Sequence, residues 1–267
     1  MYVNDSLRNA YLTLKEKPTI ILLFMVYVII GFFLEVSYSI LSTSLNNSEL
    51  FLTGIIIIII DFVFYPILAS TYVMIAKQKF SGEKILLKKA FNDAKPFFKR
   101  AAGLFIITFL IGGIPVIPFL LGVVLILDSI MASYLILIAI ASFIIFIILL
   151  VLIEVGLSQS ITILMIENLG IIASIKKSYN KSLQSFWSIF EIELTIFLIL
   201  LAFSLIAYLI SGFSSILSPL IYIISLAIFY PIFLIAIPLF YFYSNQKPNP
   251  NKPEIGTSSV PPKVSQS

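Results

Sequence analysis

The chain contains no cysteine and no histidine, and these two absences remove more chemistry than any motif supplies. Without cysteine there is no disulfide, no thiol nucleophile and no thiolate-ligated metal. Without histidine, most general-base and nucleophile-base arrangements, most zinc sites and His-ligated haem are closed to the chain acting alone. The two histidines of an intramembrane metalloprotease, the base beside a catalytic serine and the facing aspartates of an aspartyl protease cannot be assembled, and no glycine-rich loop cradles phosphates. The sequence reads as non-enzymatic, with no cofactor and no metal expected.

Charge is equally scarce. Of 267 residues only 11% are charged while 60% are hydrophobic, more apolar surface than one soluble core could hide. Lipid is the expected solvent. The runs 19–41, 51–76, 101–127, 130–166, 188–210 and 219–243 each reach the roughly 20 residues that cross a ~30 Å hydrocarbon layer. The expected fold class is all-α: a polytopic transmembrane bundle of six helices over 1–243, followed by a disordered Pro-rich tail over 244–267. The tail's composition cannot build a core, although it could dock a protein partner.

The seventeen Lys and Arg residues fall in four stretches, at 1–18, 77–100, 168–187 and beyond 244, and the connections that alternate with these carry none. Because cytoplasmic loops retain Lys and Arg, both termini are expected in the cytoplasm, with the chain in the cell membrane. A Lys-, Ile- and Ser-rich chain of this kind suits a bacterial or archaeal host. The net charge of +4 is assigned to this asymmetry and to attraction for anionic headgroups, not to nucleic acid. The first apolar run is too long for the core of a cleaved signal peptide and is expected to stay as a span.

Runs three and four exceed the minimum length, and the third contains Gly112-Gly113-Ile114-Pro115-Val116-Ile117-Pro118. Two long helices, the first broken at this segment and joined to the second outside by Asp128-Ser129, or four short spans both return the chain to the cytoplasm. The fourth helix would be tilted or would project from the bilayer. Pro66, Pro231 and Pro238 are expected to kink their helices. Asn46-Asn47-Ser48 is an external glycosylation sequon, with the same motif at the cytoplasmic Asn4 and Asn180.

Stacking the basic stretches shows a short repeat. Leu7-Arg8-Asn9-Ala10-Tyr11, Leu87-Lys88-Lys89-Ala90-Phe91 and Ile175-Lys176-Lys177-Ser178-Tyr179 share the order apolar, basic, polar or basic, small, aromatic. Each precedes a pair of apolar runs, so a three-fold repeat of interfacial helix plus transmembrane hairpin is expected. In the second copy Leu87, Ala90, Phe91, Ala94 and Phe98 share one face. In the third, Ile172, Ile175, Tyr179, Leu183, Phe186 and Trp187 do so. Such helices lie in the headgroup plane, and Lys88, Lys89, Lys176 and Lys177 are the candidate contacts to anionic lipid headgroups on the cytoplasmic side.

The ionisable groups inside the apolar runs are acids: Glu35, Asp61 and Glu154. A carboxylate at membrane depth is neutral, paired or facing a wet cavity, and is a candidate functional group. Tyr65 lies one turn beyond Asp61, and Ser158 one turn beyond Glu154, where each could donate to its acid. These acids either bind a cation or relay protons, or hold the bundle together as neutral hydrogen-bonding groups. Glu191 and Glu193 sit in the first turns of the fifth span, where the helix dipole and Lys181 explain them.

The stretch Ile166-Glu167-Asn168-Leu169-Gly170 through Ala173, Lys177-Ser178 and Phe186-Trp187 resembles the membrane domain found attached to glycerophosphoryl diester phosphodiesterases and in stand-alone bacterial and archaeal proteins. In that family an acid ending one span precedes a short amphipathic helix. Glu167, Gly170, Ala173 and Ser178 fit its pattern with a one-residue departure between Ala and Ser. The hydrolase domain of the two-part members is missing here, so the resemblance implies a membrane module without hydrolase activity. Two roles follow: a lipid-associated scaffold or accessory subunit, and, as the alternative, a secondary transporter or ion-conducting protein using the intramembrane acids.

Overall fold

The computed structural model describes residues 2–41, 47–120, 133–211 and 217–245, and these contain no strand. The side chain of Glu35, Asn46, Asp128-Ser129 and most of the Pro-rich tail lie outside the described residues. Among the described residues the architecture is carried by α1 Tyr2–Glu16, α2 Thr19–Leu41, α3 Asn47–Phe80, α4 Leu87–Ala94, α5 Phe98–Gly113, α6 Ser133–Leu157, α7 Ser160–Ile166, α8 Ile171–Gln184, α9 Phe186–Ser211 and α10 Leu217–Asn245. Four helical paths among the described residues are long and apolar enough to cross a membrane: Leu87–Leu120, Ile140–Ile166, Phe186–Ile210 and Leu217–Asn245. A fifth is added if α1 and α2, bent by 92° at the Lys17-Pro18 junction, count as one.

That bend has a local cause. Proline lacks the amide hydrogen that would continue α1, yet it is well tolerated where a new helix begins. The chain therefore turns through Lys17 and restarts at Thr19, with Ile21 N–H bonded to the Pro18 carbonyl at 2.9 Å. At the far end of α3 the stop signal is Gly82, whose φ of +70° is left-handed. Gly82 N–H reaches Lys79 O at 3.2 Å and Glu83 N–H reaches Gln78 O at 2.9 Å, satisfying carbonyls that the helix end would leave bare. Buried Gln78 then accepts from Leu86 N–H at 3.0 Å, which places the start of α4.

The fourth apolar run is not one continuous helix. It breaks at Ser158-Gln159 into α6 and α7, although Ile140–Ile166 still forms one path long and apolar enough to cross a membrane. Ser158 N–H still closes on Glu154 O, and the Ser158 hydroxyl bonds back to Val155 O at 2.9 Å, an arrangement that competes with helix continuation. The freed Gly156 carbonyl is taken by the Ser178 hydroxyl at 2.8 Å. α7 is almost wholly buried. The third run stays helical through Gly112-Gly113, turns at Ile114-Pro115 and resumes as far as Leu120.

α10 is the axis of the molecule, packed against α1, α2, α3 and α9. Its second half, from Pro231 to Phe242, is buried except for Phe233, whereas α5, α6 and α9 present large apolar side chains outward, as lipid-facing helices do. The three short basic helices each lean on a different long one: α4 on α3, α8 on α6, and α1 on α10. Ala10, Ala90 and Ser178, the small residues at equivalent positions of the sequence pattern, are each 0% exposed. Their aromatic neighbours Tyr11, Phe91 and Tyr179 are exposed.

Candidate functional site

A cavity of about 500 Å³ opens between α3, α5, α6, α7 and α10. Helix-breaking residues converge on it. Pro66 of α3, Pro238 of α10, and Gly112 and Gly113 of α5 all line the wall, and the α6–α7 break contributes Ser158 and Ser160. A proline inside a helix removes one amide donor and leaves the carbonyl four residues earlier without its partner. For Pro238 that carbonyl belongs to Leu234, another wall residue. Most of the remaining wall is aliphatic or aromatic, including Ala69, Val73, Leu104, Phe105 and Phe109.

Glu154 supplies the cavity with a carboxylate. It is exposed and lines this space, on a helical path long and apolar enough to cross a membrane. Two more polar groups stand at the same wall without hydrogen-bond partners: the hydroxyls of Ser160, 2% exposed, and Thr162, 0% exposed. Glu193 of α9 is within electrostatic reach of Glu154, and one of its carboxyl oxygens is buried without a partner. Sequence reasoning gave Glu193 a helix-dipole role; its depth in α9 and its proximity to Glu154 give it a larger one. Among the described residues no group of three or more acids gathers to cage a metal.

Asp61 does not line the cavity. Tyr27 of α2 donates to it at 3.1 Å, so the expected Tyr65 partner is corrected. The Tyr65 hydroxyl instead meets that of Tyr230 at 3.2 Å, because Tyr65 is drawn into an aromatic cluster with Phe105 and Tyr230. Phe24 stacks on Tyr230 at 5.2 Å. Asp61 thus ties α2 to α3, while Tyr65 faces both the cavity and α10. The expected Ser158 to Glu154 hydrogen bond is also replaced, since that hydroxyl bonds to Val155 O.

A second polar cluster lies where α7, α8 and α10 meet. Glu167 accepts from Lys177 Nζ and from the Tyr241 hydroxyl. Lys181 Nζ donates to Asn245 and stands 3.8 Å from the centre of the Tyr241 ring. Burial works to raise the Glu167 carboxyl, but hydrogen bonds from Lys177 and Tyr241, with the charges of Lys177 and Lys181, hold it below its ordinary value. Burial pushes Lys181 down to about 8; Glu167 opposes that shift and the Lys177 charge adds to it. Three of the four residues carrying the family resemblance are structural here. Glu167 is the clamp, Gly170 precedes the first turn of α8 and accepts from Ser174, and Ser178 docks on α6.

All four candidate headgroup lysines are exposed; Lys89 also pairs with Glu83 at 2.6 Å and Lys177 with Glu167. Sequence reasoning missed the serine stripe Ser174, Ser178, Ser182, which forms the buried face of α8. Its spacing of four is the small-residue signature of close helix packing. No family model, no curated protein and no solved structure matches the chain.

Proposed function

We propose that the chain is a six-span, non-enzymatic protein of a bacterial or archaeal cell membrane, with both termini cytoplasmic, acting as a lipid-associated scaffold or accessory subunit. Its six spans form three units, each an interfacial helix followed by a hairpin, arranged about a pseudo-threefold axis. The packing of the short helices supports this arrangement: α4 leans on the last helix of the first unit, α8 on the second unit, and α1 on α10 of the third. Contact between the first and last helices joins the ends of the chain and closes the ring. The resemblance to the phosphodiesterase-associated membrane domain is retained within this reading, as a module without the hydrolase.

The observation that carries the proposal is the shared burial of Ala10, Ala90 and Ser178. Each seats its helix on the bundle by a small residue and leaves the basic and aromatic face outward, where anionic headgroups lie. Lys88, Lys89, Lys176 and Lys177 make the headgroup contacts; Lys88 and Lys176 do so unshared, and Lys89 and Lys177 from exposed ion pairs. Purification in mild detergent from the native membrane, with bound lipids and proteins identified by mass spectrometry, tests this. Co-purified anionic lipid that is lost in a Lys88→Glu, Lys176→Glu variant supports it. A lipid complement unchanged by that variant, with no protein partner, would overturn it.

Transport is the second reading, and Glu154 on a cavity favours it. Its acids are then Glu154 and Glu193, with Asp61 serving the α2–α3 contact. Proteoliposome flux that Glu154→Gln abolishes while the variant keeps its melting temperature would select this reading.

A further inference from the structure

We propose that the cavity is a binding site for an amphiphilic primary amine, with the ammonium group against Glu154 and the apolar body along α5. The inference concerns the same space as the transport reading but does not depend on movement of any solute.

Size and lining set the first constraint. A cavity of about 500 Å³ lies in the usual range for small-molecule sites, about 300 to 1,000 Å³, and like those sites it is mostly apolar with a few convergent polar groups. A bare alkali ion would leave most of this space unfilled. A lipid-like or drug-like body fills it against Leu104, Phe105, Phe109 and Leu150.

Charge sets the second. The wall contains one acid, Glu154, and no Lys or Arg, so it offers a counter-charge to a cationic head and none to an anionic one. Hydrogen-bond direction sets the third. The hydroxyls of Ser160 and Thr162 stand without partners at the wall, the Glu154 carboxyl lines it, and Pro238 lacks the amide that would pair with the Leu234 carbonyl. Each offers an acceptor, and an ammonium group carries three donors and no acceptor. A quaternary ammonium can balance the charge of Glu154 but has no N–H to give the hydroxyls or the carbonyl. Gly- and Pro-interrupted helices around a binding site at membrane depth recur in membrane proteins because the interruption supplies such acceptors.

The test uses the full chain in lipid nanodiscs with three photoreactive probes of equal chain length: dodecylamine, dodecanol and dodecanoate, each with a diazirine on the chain. Adducts are mapped by mass spectrometry. The amine is expected to label wall residues of α5 and α6 about ten-fold more than the carboxylate, the margin of one charge-assisted hydrogen bond. Glu154→Gln should bring amine labelling down to the level of the alcohol. On the unsubstituted protein, excess unlabelled dodecylamine should displace the amine probe from the wall and leave adducts on the outer, lipid-facing surface unchanged. This second measurement stands even if Glu154→Gln fails to fold. Equal labelling by all three probes, or adducts confined to the outer surface, would overturn the site. Amine labelling without flux upholds the site and removes the transport reading. A cation flux that needs Glu154, with no amine labelling, does the reverse.

Discussion

Ser178 donates its hydroxyl hydrogen to the Gly156 carbonyl at 2.8 Å, and its neighbour Tyr179 lays its ring where a Gly156 side chain would stand. A Cβ there would lie 2.7 Å from Tyr179 Cδ2, closer than two carbons tolerate. One glycine therefore provides both the space and the carbonyl that seat α8 on α6. Gly156→Ala should destabilise the protein by about 1 to 3 kcal/mol, the usual cost of overpacking. In a Tyr179→Ala background the same change should be neutral, or stabilising by about 0.5 to 1 kcal/mol, because alanine favours the helix. Thermal melts in detergent of the four proteins check the cycle.

The buried small residues of the three basic helices should respond alike. Ala10→Leu, Ala90→Leu and Ser178→Leu each force a branched side chain into a 0% exposed position, at a cost of about 1 to 3 kcal/mol or more. Melting temperatures measured side by side give the comparison. A three-unit architecture predicts three losses of similar size, and one tolerated substitution would argue against equivalence.

Glu193 carries a prediction of opposite sign. One of its oxygens is buried without a partner and Glu154 lies nearby. Glu193→Met removes the ionisable group and the unpaired buried oxygen at similar size and should raise stability by about 1 to 3 kcal/mol, the usual cost of an unsatisfied buried group. A lower melting temperature would contradict this account of the residue.

Much of this was legible in the sequence. Among the described residues the helices follow the apolar runs, apart from the breaks at Ile114-Pro115 and Ser158-Gln159, because a long apolar stretch in lipid has little choice but helix. The 92° turn after α1 was not read from the sequence, although Pro18 stands where a charged segment meets an apolar run. The partners of Asp61 and Tyr65 were not legible. Spacing of one turn makes an intrahelical bond possible, but Tyr27 and Tyr230 reach in from α2 and α10, and no pattern within α3 records them. Glu193 was passed over because a charge near a helix start has a sufficient local explanation. The break at Ser158-Gln159 was hidden because its compensation, the Ser178 hydroxyl, comes from another helix.

Lys181 makes stability depend on pH. Its folded value is lowered by burial from 10.5 to about 8. Between those values the unfolded lysine keeps a proton that the folded one has released, so its contribution to stability rises with pH across that window. Below 8 both states hold the proton and the contribution is flat. Tyrosines ionise within the same range in the unfolded chain, so the comparison is against Lys181→Gln, which should lack the rise. Glu167 behaves in the opposite way. Held below its ordinary 4.5, it stabilises the fold above that value, and this is lost as pH falls through its folded value. Glu167→Gln should remove the acid dependence.

The central claim is that the three basic helices lie on one side of a multi-pass membrane protein. The chain has no cysteine, so single cysteines placed at Arg8, Lys88, Lys176, Asn46 and Ser129 can be labelled in intact cells and in inverted vesicles with a membrane-impermeant maleimide. The account predicts labelling at Arg8, Lys88 and Lys176 only from the cytoplasmic face, and at Asn46 and Ser129 only from the outside. Labelling of Lys88 and Lys176 from opposite faces would contradict it.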